Sequence, residues 1–335
     1  MKEEFSGKKV SRRRMVGGMA AAAGALPMAS ALAQGQAQGR GQGGRGGGMA
    51  HPEGGYGPIR CLLITKFHPF DREPFFEMFD ALGETITWTH VEQPAAELFF
   101  NRQAAERFDV FVLYDMAGRD YRKKPDGAND PASIFRDPVF EEPSPELRAG
   151  FKELLQSGDK GFVFLHHSLA SWVHTWPEYV EVIGAAADWG LPIKVRGKEY
   201  PYSGFRGGVQ QHITVVDKSH PVVAGLGDGY DIEDETYLCP MFEDSVHCLL
   251  RTDFKPIDSN FPMQSARGWH HPPGSNMAGW VKTAENTPVV YLQNGHGPTA
   301  WTNPAYRKLV TNAVKWAHSS EAKGWAKAHP SKIFA

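Results

Sequence analysis

The sequence predicts an α/β domain built on a mostly parallel sheet with helices on both faces. Short apolar runs alternate with amphipathic stretches along much of the chain. The runs are apolar throughout rather than at every second residue, as in strands covered on both faces. Two helical stretches open on a capping residue followed by proline. With 335 residues, 41% of them apolar and 22% charged, the chain can build one large domain with a sizeable core.

Residues 59–65, IRCLLIT, predict a buried strand. Asp71 is placed to cap a helix over 72–81, with Phe75, Phe76, Phe79 and Leu82 on one face. Strands are predicted at 84–90 and at 109–114, and the polar stretch 116–143 reads as a surface insertion. Ser144 and Pro145 open a helix whose stripe is Leu147, Phe151, Leu154 and Leu155, and Gly158 ends it. Residues 161–165, GFVFL, are the most apolar strand and the candidate for the sheet's centre. A helix is expected over 177–187, and strands over 212–216, 247–250 and 288–292. Asn303 and Pro304 open the last helix, with Tyr306, Leu309, Val310, Ala313, Val314 and Ala317 at helical spacing. Between Trp189 and Trp280 the pattern is irregular and predicts no strand order.

The N-terminus carries Lys8, Lys9 and the run Ser11-Arg12-Arg13-Arg14, then an alanine- and glycine-rich stretch closing on Ala31-Leu32-Ala33. A charged region, a weakly apolar region and a small-residue cleavage site describe a secretory signal, and the paired arginines point to the twin-arginine route. The expected organisation is a signal over 1–33, a flexible Gly/Gln-rich linker over 34–58, the α/β domain over 59–320 and a tail over 321–335. The expected location is the periplasm or another exported compartment. No later apolar run approaches the ~18 residues a membrane span needs, so no stable membrane anchor is expected after cleavage. Without residues 1–33 the balance is 30 Lys/Arg against 36 Asp/Glu, a formal charge of −6, which argues against nucleic acid as a partner. Of the three cysteines, Cys61 lies in an apolar run, while Cys239 and Cys248 could pair in an oxidising compartment.

In a parallel sheet, ligands bind beyond the carboxyl ends of the strands. Those ends carry His68, Asp115, the pair His166 and His167 followed by Ser168, and His296. Several strand ends bearing acid–base residues predict one shared site. On a strand neighbouring residues alternate faces, so only one of His166 and His167 is expected to face it. Trp172, Trp176, Trp280 and Trp301 lie near these ends and offer flat apolar faces suited to sugar rings.

The run GFVFLHH at 161–167 with Trp172, HPVVAGL at 220–226, DETY at 234–237, GHG at 295–297 and the closing NAVKWA at 312–317 resemble the ThuA-like (trehalose utilisation) family. The resemblance extends in order from Ile59 to Ala317. It implies a flavodoxin-like fold similar to class I glutamine amidotransferases and a role in disaccharide or keto-sugar catabolism. In amidotransferases the turn after the central strand carries a cysteine nucleophile. Here that turn carries His166, His167 and Ser168, so cysteine glutaminase chemistry is not expected.

The leading expectation is an enzyme, a hydrolase or isomerase, acting on a small carbohydrate, with His167 and His296 as general base and acid and Glu235 orienting one of them. His68, Asp115, Ser168, Trp172, Tyr237 and Trp301 are the candidate substrate contacts. A variant places a divalent metal such as zinc among His68, His166, His167, Glu235 and His296, although no compact ligand motif occurs. Two alternatives are a serine hydrolase built on Ser168, His296 and Glu235, and a secreted sugar-binding module without turnover. No dinucleotide or phosphate-loop fingerprint follows any strand.

Overall fold

The computed structural model describes residues 54–67, 69–120 and 138–334. The expected signal, most of the linker, His68 and the middle of the 116–143 insertion lie outside the described residues. None of the described helices is long and apolar enough to cross a membrane.

Among the described residues there are eleven strands: β1 (Ile59–Lys66), β2 (Ile86–Glu92), β3 (Val110–Asp115), β4 (Gly161–Leu165), β5 (Ile193–Val195), β6 (Lys198–Tyr200), β7 (Gly204–Val215), β8 (Gly229–Leu238), β9 (His247–Thr252), β10 (Met277–Ala284) and β11 (Thr287–Leu292). Nine of them form one sheet in the order β2-β1-β3-β4-β11-β10-β9-β7-β8, and β5 and β6 pair separately. The first five in that order run parallel. The other four extend the sheet antiparallel. The parallel expectation therefore describes the half that holds β4, and the irregular region supplies the other half.

Two cores explain why the parallel strands are apolar at every position. Cys61 and Leu63 of β1 join Phe75 and Phe79 of helix α1 (Arg72–Asp80) on one face, while Leu62 and Ile64 join Phe151 of helix α2 (Pro145–Ser157) on the other. Helix α3 (Pro177–Ile183) packs with α2, and helix α4 (Pro304–His318) packs with α1. In α2 the Ser144 hydroxyl accepts the Leu147 N–H at 3.1 Å, and Gly158 closes the helix at φ 64°. The stripe of Leu147, Phe151, Leu154 and Leu155 is buried as its spacing predicts. Truncating Phe151 at this depth costs roughly 3–5 kcal/mol.

Several expectations are corrected. Helix α3 stops at Ile183 rather than 187, because Gly184 adopts φ 89° and caps it. Strand β2 lies two residues later than its pattern suggests. Residues after 320 are not simply a tail: helix α5 (Ser320–Ala328) buries Ala322 and Ala326, and the Glu285 carboxylate accepts the N–H groups of Ile333 and Phe334. The insertion returns to its origin, with Arg119 bridging Phe140 and the Asp120 N–H donating to Val139 O at 2.9 Å. All three cysteines are free thiols. Cys239 follows the carboxyl end of β8 while Cys248 sits near the amino end of β9, with β7 between those strands.

The antiparallel half has one feature that matters for function. Strand β8 lies five positions from β4, roughly 24 Å across a flat sheet at the usual strand spacing. Strand β7 pairs with β9 only over Ile213–Val215, but with β8 from Thr214 back to Gly204. The free part of this β7–β8 ribbon contains a bulge at Gly207-Gly208, where Gly208 takes φ 63°. Such bulges bend and twist a ribbon. Strand β8 runs in the same direction as β4, and the ribbon carries its carboxyl end back over the carboxyl edge of the parallel strands, where Tyr237 meets His166.

Candidate functional site

His166 is the first residue after the central strand β4, and its backbone turns left-handed at φ 50°. For a non-glycine residue this is a strained conformation, held by its surroundings and enriched at functional positions. The turn ends the strand and starts a short 3-10 helix over His166–Ala170. It aims the His166 ring at the ribbon. His166 Nδ1 lies 2.8 Å from the Gln293 carbonyl oxygen. A carbonyl only accepts, so Nδ1 carries a proton, and in that tautomer Nε2 presents a lone pair.

Three groups converge on that lone pair. His296 Nδ1 stands 3.1 Å from His166 Nε2, and a Glu235 carboxylate oxygen stands 3.5 Å from each. The Tyr237 hydroxyl donates to His166 Nε2 at 2.6 Å. Glu235 and Tyr237 are two apart and share one face of β8. The other face serves the histidine loop: the Asp234 carboxylate accepts the N–H groups of Gly295 at 2.6 Å and His296 at 3.1 Å, and the Gln293 amide donates to the Thr236 hydroxyl at 3.1 Å. Trp301 Nε1 donates to Gly295 O at 2.9 Å and the Tyr306 hydroxyl to Asn294 O at 2.8 Å, so residues 293–297 are held from several sides.

Electrostatics follow from burial against partners. Burial pushes the Glu235 carboxyl up, but hydrogen bonds and charge from His166 and His296 outweigh it and leave the group below its ordinary range. Burial lowers His296, while Glu235 and Asp234 raise it, with a net upward result. Asp234 is raised chiefly by burial, opposed by the charge of His166 and by backbone N–H donors. Burial pushes the Tyr237 phenol well up, so it acts as a donor and not as an anion. Glu235 and His166 are buried, while the His296 side chain is 34% exposed and faces a cavity of about 240 Å3 lined by Pro69, Phe70, Asp71, Pro298 and Trp301. A neighbouring cavity of about 520 Å3 shares Pro69 and Phe70 and reaches Lys66, Arg72, Glu92 and Glu141. The larger of the two lies in the size range of small-molecule sites, about 300–1,000 Å3, and the smaller falls just below it.

Of the predicted residues that the structure describes, the fold brings His166, Glu235, Tyr237 and His296 together and gives the others different surroundings; His68 lies outside the described residues. His167 is buried with its ring 4.2 Å from that of Tyr114, on the same side of the sheet as Val163 and Leu165, while His166 continues the side of Phe162 and Phe164 towards Tyr237. Ser168 donates to backbone carbonyls and is wholly buried, with Leu113 O at 2.7 Å and Leu165 O at 2.5 Å, so it stands as a strut and not a nucleophile. Asp115 is also fully buried, near Gln93 and Ser171, and burial pushes its carboxyl up to about 7 against the lowering influence of Gln93 and Lys66. Trp172 and Trp301 are core residues, 4% and 1% exposed, with no face free for a sugar, although the edge of Trp301 lines the cavity. Trp176 and Trp280 are equally buried. Asp234 and Gln293 were not singled out by sequence. The period-two pattern of DET at 234–236, with alternate residues on opposite faces, was the available signal.

Among the described residues, His166, Glu235 and His296 are the one group of three with donor atoms close enough to share a metal ion. Two imidazoles and a carboxylate can also relay a proton between a buried group and a ligand at the exposed edge of His296.

Comparison with known proteins agrees with this topology. A ThuA-like protein of Parabacteroides merdae is similar in structure at TM-score 0.53, with 18% identity over 78% of this chain and 90% of that one. At that identity the likeness is one of fold. A cytoplasmic protein of Salmonella typhimurium (TM-score 0.46, 12% identity, 77% of this chain, 99% of that one) and a glutamine amidotransferase of Thermotoga maritima (0.38, 12%, 78% and 99%) are looser neighbours. No curated protein matches the chain in sequence. The family model described as ThuA, trehalose utilisation, matches residues 81–317, more than half of the chain, and the protein therefore belongs to the ThuA family.

Proposed function

We propose that the protein acts catalytically on a small carbohydrate, a disaccharide or keto-sugar derivative, at the His166–Glu235–His296 group. The observation that carries this reading is the convergence of two imidazoles and a carboxylate, all within 3.5 Å, beside a cavity of about 240 Å3 that shares Pro69 and Phe70 with one of about 520 Å3. Family membership supports a carbohydrate-related role. Sugars present hydroxyl and carbonyl oxygens, and hydrolysis or isomerisation requires protons to be given to and taken from them. His296 is the partly exposed member and the catalytic residue that touches substrate. Glu235 orients and charges it, and His166 and Tyr237 position both.

The test is consumption of a panel of disaccharides and their keto derivatives by the purified protein, followed by product analysis. His296→Gln and Glu235→Gln should each lower turnover by roughly 10²–10⁴-fold, the usual worth of a positioned acid or base. Sugar that binds without being consumed would instead favour the binding-module reading.

The same proposal places the protein outside the cytoplasm, on the strength of the paired arginines and the small-residue site at 31–33. Replacing Arg12 and Arg13 by lysine should hold the protein in the cytoplasmic fraction. Unchanged export would remove the twin-arginine route.

A further inference from the structure

We propose that His166 Nε2, His296 Nδ1 and a Glu235 carboxylate oxygen form a binding site for one zinc-class divalent ion. The inference deepens the catalytic reading above and rests on that same site, but its evidence is geometric and needs no substrate.

The first argument is the spacing of the donor atoms. Four-coordinate zinc binds nitrogen and oxygen at about 2.0–2.2 Å, which puts tetrahedral ligand atoms about 3.3–3.5 Å from one another. The three separations here are 3.1, 3.5 and 3.5 Å. The site has the dimensions of one face of that tetrahedron before any ion is considered.

The second argument is preorganisation. A metal-bound imidazole characteristically gives its other N–H to a carbonyl or carboxylate, which fixes the tautomer and aims the ligating lone pair. His166 Nδ1 is committed in that way to Gln293 O, which leaves Nε2 facing the other two donors, and an ion bound there would take the place of the Tyr237 hydroxyl that Nε2 accepts at 2.6 Å. His296 is fixed through its backbone, whose N–H is held by Asp234. The strained turn at His166 has an account on this view, since it is the conformation that places the lone pair on the ribbon side.

The third argument is the donor set. Two imidazoles and one carboxylate suit zinc and its first-row neighbours, whereas magnesium and calcium call for oxygen donors. Catalytic zinc with three protein ligands keeps a fourth position for water or substrate. The open side here is that of His296, towards the cavity beside Pro298 and Trp301. An ion so placed would polarise a sugar carbonyl or acidify a bound water.

The test uses the full, untagged chain, stripped with a chelator and titrated with zinc chloride by calorimetry. One equivalent should bind, survive gel filtration and raise the unfolding midpoint. Outer partners of a metal site are worth roughly 10–100-fold in affinity, so Glu235→Gln and His296→Ala should each weaken binding by more than about 100-fold. His247→Ala, at an exposed histidine paired with Asp217, should leave the stoichiometry at one. Circular dichroism in chelator shows whether each variant is folded, and Glu235→Gln is nearly isosteric. Uptake well below one equivalent by the parent chain, or unchanged uptake in folded Glu235→Gln and His296→Ala, would overturn the site. Zinc bound at one equivalent with no sugar consumed upholds the site and overturns the catalytic reading. Sugar consumed by stripped protein that takes up no zinc does the reverse.

Discussion

His166 Nε2 and His296 Nδ1 stand 3.1 Å apart although 130 residues separate them, and the carboxylate that joins them comes from neither of their strands. Both histidines follow adjacent parallel strands, β4 and β11, so the pair belongs to the sheet's carboxyl edge. Glu235 arrives from the far edge on the ribbon. The site therefore depends on long-range order, and its supports can be tested one at a time.

Asp234 accepts two buried N–H groups and so fixes the loop that bears His296. Asp234→Ala should cost about 1–3 kcal/mol for each donor left unpaired. Urea unfolding measures it. Asp234→Asn retains an acceptor oxygen and should cost less, and equal costs for the two variants would mean that the carboxylate does not hold the loop.

Gly295 has φ 123°, and a Cβ there would lie 2.2 Å from the Tyr306 hydroxyl oxygen. Gly295→Ala should destabilise by about 2–4 kcal/mol through backbone strain and overpacking. Removing that oxygen with Tyr306→Phe relieves the overpacking but not the strain. The double variant should therefore be less destabilised than the two single changes added together, a coupling that a double-mutant cycle reads directly.

The Asp115 carboxyl is raised from 3.8 to about 7, with burial as the main cause. The folded protein keeps a proton there that the unfolded chain releases above 3.8. The stability this group contributes is complete below that value and is lost as pH rises through about 7. Asp115→Asn stays neutral throughout. Its unfolding midpoint should gain on the parent's between about pH 5 and about pH 8, and a constant difference across that range would count against the raised carboxyl.

Ser168→Ala should lower stability by about 1 kcal/mol, the net worth of one buried hydrogen bond, without loss of sugar turnover. A serine-directed phosphonate should fail to label the parent chain at this position. Labelling would revive the nucleophile reading that its two carbonyl partners argue against.

How much of this was legible in the sequence depends on how local each signal is. The parallel half was legible because β1, β3 and β4 are apolar at successive positions, and because the Ser144 and Asn303 caps announce α2 and α4. Strand β10 was not read, since the turn joining it to β11 is Glu285-Asn286, where Glu285 takes φ 51° without the glycine that marks most such hairpins. Gly184 did carry the stop signal for α3, but the apolar residues beyond it masked the end. The histidines were legible as strand-end residues, and alternation allowed only one of His166 and His167 to face the site, but nothing local says which face of β4 the β7–β8 ribbon covers. Glu235 could be named, but its distance to the histidines depends on a ribbon whose curvature arises from a bulge and from sheet twist, which are tertiary properties.

The β7–β8 ribbon also divides the molecule by what each part is free to change. The parallel strands must keep apolar residues on both faces, or both cores fail. Glu235, at the ribbon's far end, fills no core position and answers to the histidines beneath it. A lineage that acquired or lost such an arm would acquire or lose a carboxylate over its histidine elbow in a single event, with the strands underneath unaltered. Reaction type would then descend with the arm and not with the sheet, so that two chains with superimposable strands owe each other no common chemistry.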